Sequence, residues 1–195
     1  MAYVTEEMIQ EMEERYGRPR RLSLAFEINP AEMKMLRGSQ KDGRNHDVTM
    51  FIFRDREYRE FAAIAKHMFP PGAWRAPSGA AHPGEDLEAG AVREAREETG
   101  LDIRLDRFIL HIDAAFTCGP YSEPWRSLVF TAFCDRCELG HQDEEEIRET
   151  RWISLEELLG PVREVLLGTG MGLFAYRVAL HAAAAAEIRK LDVGP

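Results

Sequence analysis

Between Gly79 and Leu101 the chain reads GAAHPGEDLEAGAVREAREETGL, and no other stretch restricts the fold as strongly. Asp86 precedes a run of helix formers, where its carboxylate can accept the free N–H groups of a first helical turn. Gly100 ends the run at the position where a left-handed residue closes a helix. Glu94, Glu97 and Glu98 then stand at i, i+3 and i+4 and share one face, while Ala91, Val92 and Ala95 lie around the other side and can pack on a sheet. Three carboxylates on one turn repel one another. A hard divalent cation such as Mg²⁺, which takes oxygen ligands at close quarters, resolves that conflict. The plainer reading is a solvated acidic face with Arg93 and Arg96 as intrahelical partners.

The register decides between them. Gly79, Glu85, Arg93, Glu94, Glu97, Glu98 and Gly100 fill all seven fixed positions of G-x5-E-x7-R-E-U-x-E-E-x-G-U, with U aliphatic and Ala95 its only soft match. On those residues the chain resembles the Nudix hydrolases over about residues 47–160. The upstream WRAPSGAAHPGE is similar to the family's W-x-x-P-G-G, with Ser78 in place of the first glycine and His82 where a glutamate is frequent. The resemblance implies an α/β/α sandwich with a mixed sheet and a loop–helix–loop catalytic motif. It implies Mg²⁺, with Mn²⁺ as a possible substitute, bound by Glu97, Glu98 and the backbone near Ser78 and Gly79. Glu94 would bind metal or take the proton from water, Arg93 would orient a catalytic glutamate, and Glu85 would hold the loop–helix geometry. Arg96 is expected in solvent. Nudix enzymes often draw a further acid from outside the signature. Here HQDEEEIRETRW offers Glu144 or Glu145, with a solvated acidic loop as the alternative.

The rest of the chain fits a mixed sheet with helices on both faces. Residues 5–16 carry Met8, Ile9 and Met12 at helical spacing, closed by Gly17, and Leu22–Ile28 alternates like a strand. Residues 37–46 read as a connector. VTMFIF (48–53) and FAAIA (61–65) read as a hairpin, and residues 108–116 and 128–133 as strands covered on both faces. Arg151–Ile153 is a further short strand, Ser154 caps the helix after it, and 173–191 is a long alanine-rich helix. The expected division is an N-terminal addition at 1–45, a core at 46–160 and a C-terminal helical segment at 161–195.

Residues 117–125, TCGPYSEPW, are expected to connect two strands. Tyr121, Trp125 and Arg126 could there stack on a base and hold a phosphate, although two prolines also suit a purely structural loop. Cys134, Cys137 and His141, with Cys118, could form a zinc site, but only one tight pair is present and reduced thiols at a strand end are the favoured reading.

A net charge of −9 argues against a nucleic-acid polymer as partner, and no apolar run approaches membrane-spanning length. The acidic N-terminus lacks a signal peptide's apolar centre, so a cytosolic protein is expected. The Nudix resemblance implies metal-dependent hydrolysis of a pyrophosphate linkage in a nucleoside diphosphate derivative: a nucleotide sugar, a dinucleotide or a nucleoside triphosphate. The alternatives are a non-catalytic nucleotide-binding regulator, and isomerisation of a prenyl diphosphate through a placed cysteine such as Cys118. Apolar residues Met8, Ile9, Met12, Phe174, Tyr176 and Val178 either fold back on the core or pair across a two-fold axis, and a homodimer is expected.

Overall fold

A computed structural model describes residues 4–40 and 43–192, so Lys41 and Asp42 of the expected connector lie outside it. In chain order the elements are α1 (Glu6–Tyr16), β1 (Arg20–Glu27), α2 (Pro30–Ser39), β2 (His46–Phe53), β3 (Glu60–Lys66) and β4 (Ser78–Gly79). After them come α3 (Leu87–Thr99), β5 (Ile103–Cys118), β6 (Tyr121–Cys134), β7 (Ile147–Ser154), α4 (Leu155–Glu157), α5 (Arg163–Gly168) and α6 (Gly172–Asp192). A π-helical turn, Leu158–Val162, joins α4 to α5 around Pro161, whose missing N–H cannot continue an α ladder.

The strands form one sheet in the order β1-β5-β6-β2-β3-β7, with β4 added to β2. β1 pairs parallel to β5 and β2 parallel to β6, while the β5–β6, β2–β3 and β3–β7 pairs are antiparallel. It is a mixed sheet with helices on both faces. β2 shows why its sequence is almost continuously apolar. Val48, Met50 and Ile52 pack in the cluster shared with α1 and α3, whereas Phe51 and Phe53 join the cluster of α2, α5 and α6. A strand buried on both faces has no need of alternation.

Three readings change. The expected connector at 37–46 begins as helix, because α2 extends to Ser39. Its start is a full capping box: the Asn29 side chain accepts from Glu32 N–H, and the Glu32 carboxylate accepts from Asn29 N–H at 3.0 Å. The expected connector at 117–125 is the outer part of a long β5–β6 hairpin that turns at Gly119, whose φ of 56° is left-handed. Finally, Cys134 and Cys137 are bonded to each other rather than reduced, and neither thiol is left for zinc. Cys118 lies at the opposite end of the same hairpin, paired with Tyr121, while Cys134 pairs with Ile103.

The apolar faces of the terminal segments are covered within the chain. Ile9 and Met12 are buried beneath α1, and Phe174 and Tyr176 beneath α6. Among the described residues no helix is long and apolar enough to cross a membrane.

Candidate functional site

α3 is set by its ends. The Asp86 carboxylate accepts from Glu88 N–H and Ala89 N–H, both at 3.0 Å, and Gly100 closes the helix at φ 72° with its N–H on the Arg96 carbonyl. Two glycines let the preceding loop lie on the helix. A Cβ on Gly79 would stand 1.9 Å from Glu94 Cδ, and one on Gly90 would stand 2.9 Å from the Ala81 Cα. A Cβ at Gly79 would push the Glu94 carboxylate out of place, and one at Gly90 would press on the Ala81 backbone.

Arg93 ties the loop to the helix. Its guanidinium donates to both Glu85 oxygens at 3.0 Å and to the Ala80 carbonyl at 2.9 Å. Nη1 donates to Glu94 at 3.0 Å and to Glu97 at 3.2 Å. Glu85 also accepts from His82 N–H at 2.7 Å, and the Arg93 bonds hold its pKa below the ordinary carboxylate value. The resemblance implies one glutamate for Arg93 to orient; the structure gives it three.

Glu98 lines the same cavity with different partners. It accepts from Ser78 N–H at 2.7 Å, and Lys66 and Arg75 stand 3.3 and 3.5 Å from its other oxygen. Burial pushes the Glu98 carboxyl pKa up, opposed by Arg75 and then Lys66. Lys66 also pairs with Glu146 at 2.7 Å.

These groups edge a cavity of about 500 Å³. Ser78, Gly79, His82, Arg93, Glu94, Glu97, Glu98, Asp143 and Glu146 form its acidic side. Arg44, Lys66, Arg75 and Arg177 are cations on its wall, and Leu36, Phe69, Phe116, Trp125, Phe174 and Tyr176 supply apolar surface. α2 and α6, from the two flanking segments, therefore help to enclose it.

The remaining expected site residues are distributed unevenly. Trp125 lines the cavity with its indole N–H on Asp47 at 3.3 Å. Tyr121 is 57% exposed at the hairpin tip beside Arg37, outside the cavity lining. Arg126 is engaged by Glu6 at 2.9 Å and Asp113 at 3.0 Å, also outside the lining. Glu144 and Glu145 are exposed, and from their loop it is Asp143 and Glu146 that reach the cavity. Arg96 projects into solvent and pairs with Asp102.

Lys66, Arg75 and Arg177 were not read from the sequence. A faint signal exists for two of them: Lys66 ends the apolar run FAAIA, and Arg75 stands between Trp74 and Ala76. A charge inside an apolar run is buried only with a partner.

The side-chain donors suit a hard divalent cation: the carboxylates of Glu94 and Glu97 are close enough to share one Arg93 nitrogen. As the side chains stand, Arg93 neutralises them. No three His, Cys, Asp or Glu side chains among the described residues are gathered in ligating geometry.

Comparison with known proteins agrees with this layout. The family model described as NUDIX domain matches residues 43–167. "Nudix hydrolase 19, chloroplastic" of Arabidopsis thaliana is 30% identical over 112 residues, 57% of this chain and 25% of that protein. "Nudix hydrolase 2" of the same plant is 45% identical over 89 residues, 45% of this chain and 31% of that protein. The chain thus spans about a quarter to a third of these relatives. Among solved structures, a NUDIX hydrolase from Nitrosomonas europaea superposes with a TM-score of 0.50 at 18% identity, covering 73% of this chain and 88% of that one. That likeness is one of fold.

Proposed function

The chain belongs to the Nudix family, and from that premise we propose that it hydrolyses a pyrophosphate linkage in a nucleoside diphosphate derivative with the help of Mg²⁺ or Mn²⁺. The observation that carries this reading is the cavity in which the α3 carboxylates face Lys66, Arg75 and an aromatic wall. Such a site matches a ligand with a polyanionic centre and an apolar end.

Bound between Glu94, Glu97 and the Ser78–Gly79 backbone, the cation would neutralise phosphate charge and lower the pKa of water. The protein's own groups do the rest. Glu98 is held rigidly by Ser78 N–H and two cations, which fixes how α3 sits against β4. Arg93 orients Glu94 and Glu97 and must cede Nη1 contacts when they turn to ligand. Glu94, at 3.3 Å from Ala80 N–H, is held over the Gly79 backbone and is our choice for the group that receives the proton of the attacking water. Lys66 and Arg75 hold the diphosphate by charge-assisted bonds.

Incubation of nucleotide sugars, dinucleotides and nucleoside triphosphates with Mg²⁺ or Mn²⁺, with phosphate products followed by chromatography, tests the proposal. Turnover of at least one of them, stopped by chelation, is expected. Binding without turnover across the whole panel overturns it in favour of a nucleotide-sensing module, a role suited to carboxylates already neutralised by arginine and lysine.

A further inference from the structure

Of the cations on the cavity wall, Lys66, Arg75 and Arg177 are not evenly matched. Lys66 and Arg75 share buried Glu98, and Lys66 also has half-exposed Glu146. Arg177 on α6, whose side chain is 13% exposed, has among the described residues only Asp47 as an ion-pair partner, at 3.6 Å. Trp125 Nε1 and Ser127 Oγ both donate to Asp47 Oδ1, the oxygen that does not face Arg177. Arg75 Nε and Arg177 Nη1 are buried with no hydrogen-bond partner among the described residues. The two side chains line the same cavity, and after burial the charge of Arg177 is the largest influence lowering the Arg75 pKa. Like charges held together out of water with idle donors are costly unless an anion joins them.

We propose that Arg177, outside the span matched by the family model, is a substrate-binding residue that grips a phosphate of an organic diphosphate jointly with Arg75, while the organic half packs beside Trp125. The proposal rests on the diphosphate chemistry given above but not on turnover. It makes α6 a specificity element: a substrate is selected for a phosphate adjoining its apolar or aromatic part. The paired guanidinium forks suit phosphate oxygens, which lysine in the same place would meet with a single point charge.

Inorganic pyrophosphate in EDTA is the probe, because it isolates the cationic wall from any metal. Calorimetric titration of the full chain should show binding. Arg177→Gln should weaken it about tenfold or more, the scale of a lost charge-assisted bond. Arg177→Lys should recover part of the loss, and Arg96→Ala should match the parent protein. Should Arg177→Gln not fold, the double variant Asp47→Asn/Arg177→Gln removes both members of the pair and leaves no charge stranded; the same weakening is expected of it. Once a substrate is in hand, Arg177→Gln should raise KM and change kcat only a few-fold. Parent protein that does not bind pyrophosphate, or a folded Arg177 variant that binds it as tightly as the parent, overturns the proposal. Pyrophosphate binding that depends on Arg177, without turnover of any nucleotide, would instead sink hydrolysis and leave this site standing.

Discussion

Glu97 and Glu98 are neighbours in the chain and occupy opposite kinds of site. The Glu97 side chain is 45% exposed and among the described residues pairs only with the Arg93 guanidinium, which is itself shared with Glu85 and Glu94. The Glu98 side chain is 3% exposed and is enclosed by Ser78 N–H, Lys66 and Arg75. The difference separates mobility from anchoring. An exposed ion pair is worth little and is easily exchanged, so Glu97 is free to change partner. A buried pair cannot lose one member without stranding the other, so Glu98 is fixed.

The sharpest way to break this contrast is truncation. Glu98→Ala leaves Lys66 and Arg75 buried beside a void, and should cost about 3–5 kcal/mol in urea denaturation. Glu97→Ala should cost no more than about 0.5 kcal/mol. Equal losses would erase the distinction. Next in size is catalysis: Glu97→Gln should lower turnover about 10²-fold while its denaturation midpoint stays near that of the parent. A loss of fold without a selective loss of rate would make Glu97 the anchor instead.

Acid titration gives a smaller effect. Arg93 lowers the Glu85 pKa below its ordinary value of 4.5, so the unfolded chain takes up that proton first as pH falls. The stabilisation is therefore complete above pH 4.5 and is lost as pH falls through the lowered value. Glu85→Gln should flatten this part of the stability profile, by less than about 1 kcal/mol. The smallest effect belongs to Arg96→Ala, on the solvent side of the same helix, expected within about 0.5 kcal/mol of the parent and with its rate nearly unchanged. A rate loss matching that of Glu97→Gln would mean that the faces of α3 are misassigned.

The α3 region was legible because its determinants are local. Asp86, Gly100 and the carboxylate spacing each act within a turn or two of helix, and a short window of sequence contains them all. The cationic wall was not legible, since Lys66, Arg75 and Arg177 are brought together by β3, the segment before β4 and α6. Local signals were also present where they went unread. Asn29, Pro30 and Glu32 spell a helix start that the glycines of the following connector overshadowed. Pro124 suggested a loop, yet it sits in β6 just before the pairing with β2 begins at Arg126. There the strand has β5 on one side only, and a proline without N–H forfeits no bond.

Glu32 links α2 to the start of α6. One of its oxygens closes the capping box of α2, and the other accepts from Leu173 N–H at 2.8 Å, where α6 begins. A Cβ on Gly172 would stand 2.0 Å from the Glu27 carbonyl, so α6 starts in close contact with the end of β1. On the ribosome the Glu32 carboxylate is made early and its partner late, 141 residues downstream. The α3 face can assemble while synthesis is still in progress, but the chamber enclosed by α2 and α6 waits for the first turns of α6 to emerge. A nascent chain halted before Leu173 would carry the acidic helix without the pocket it serves.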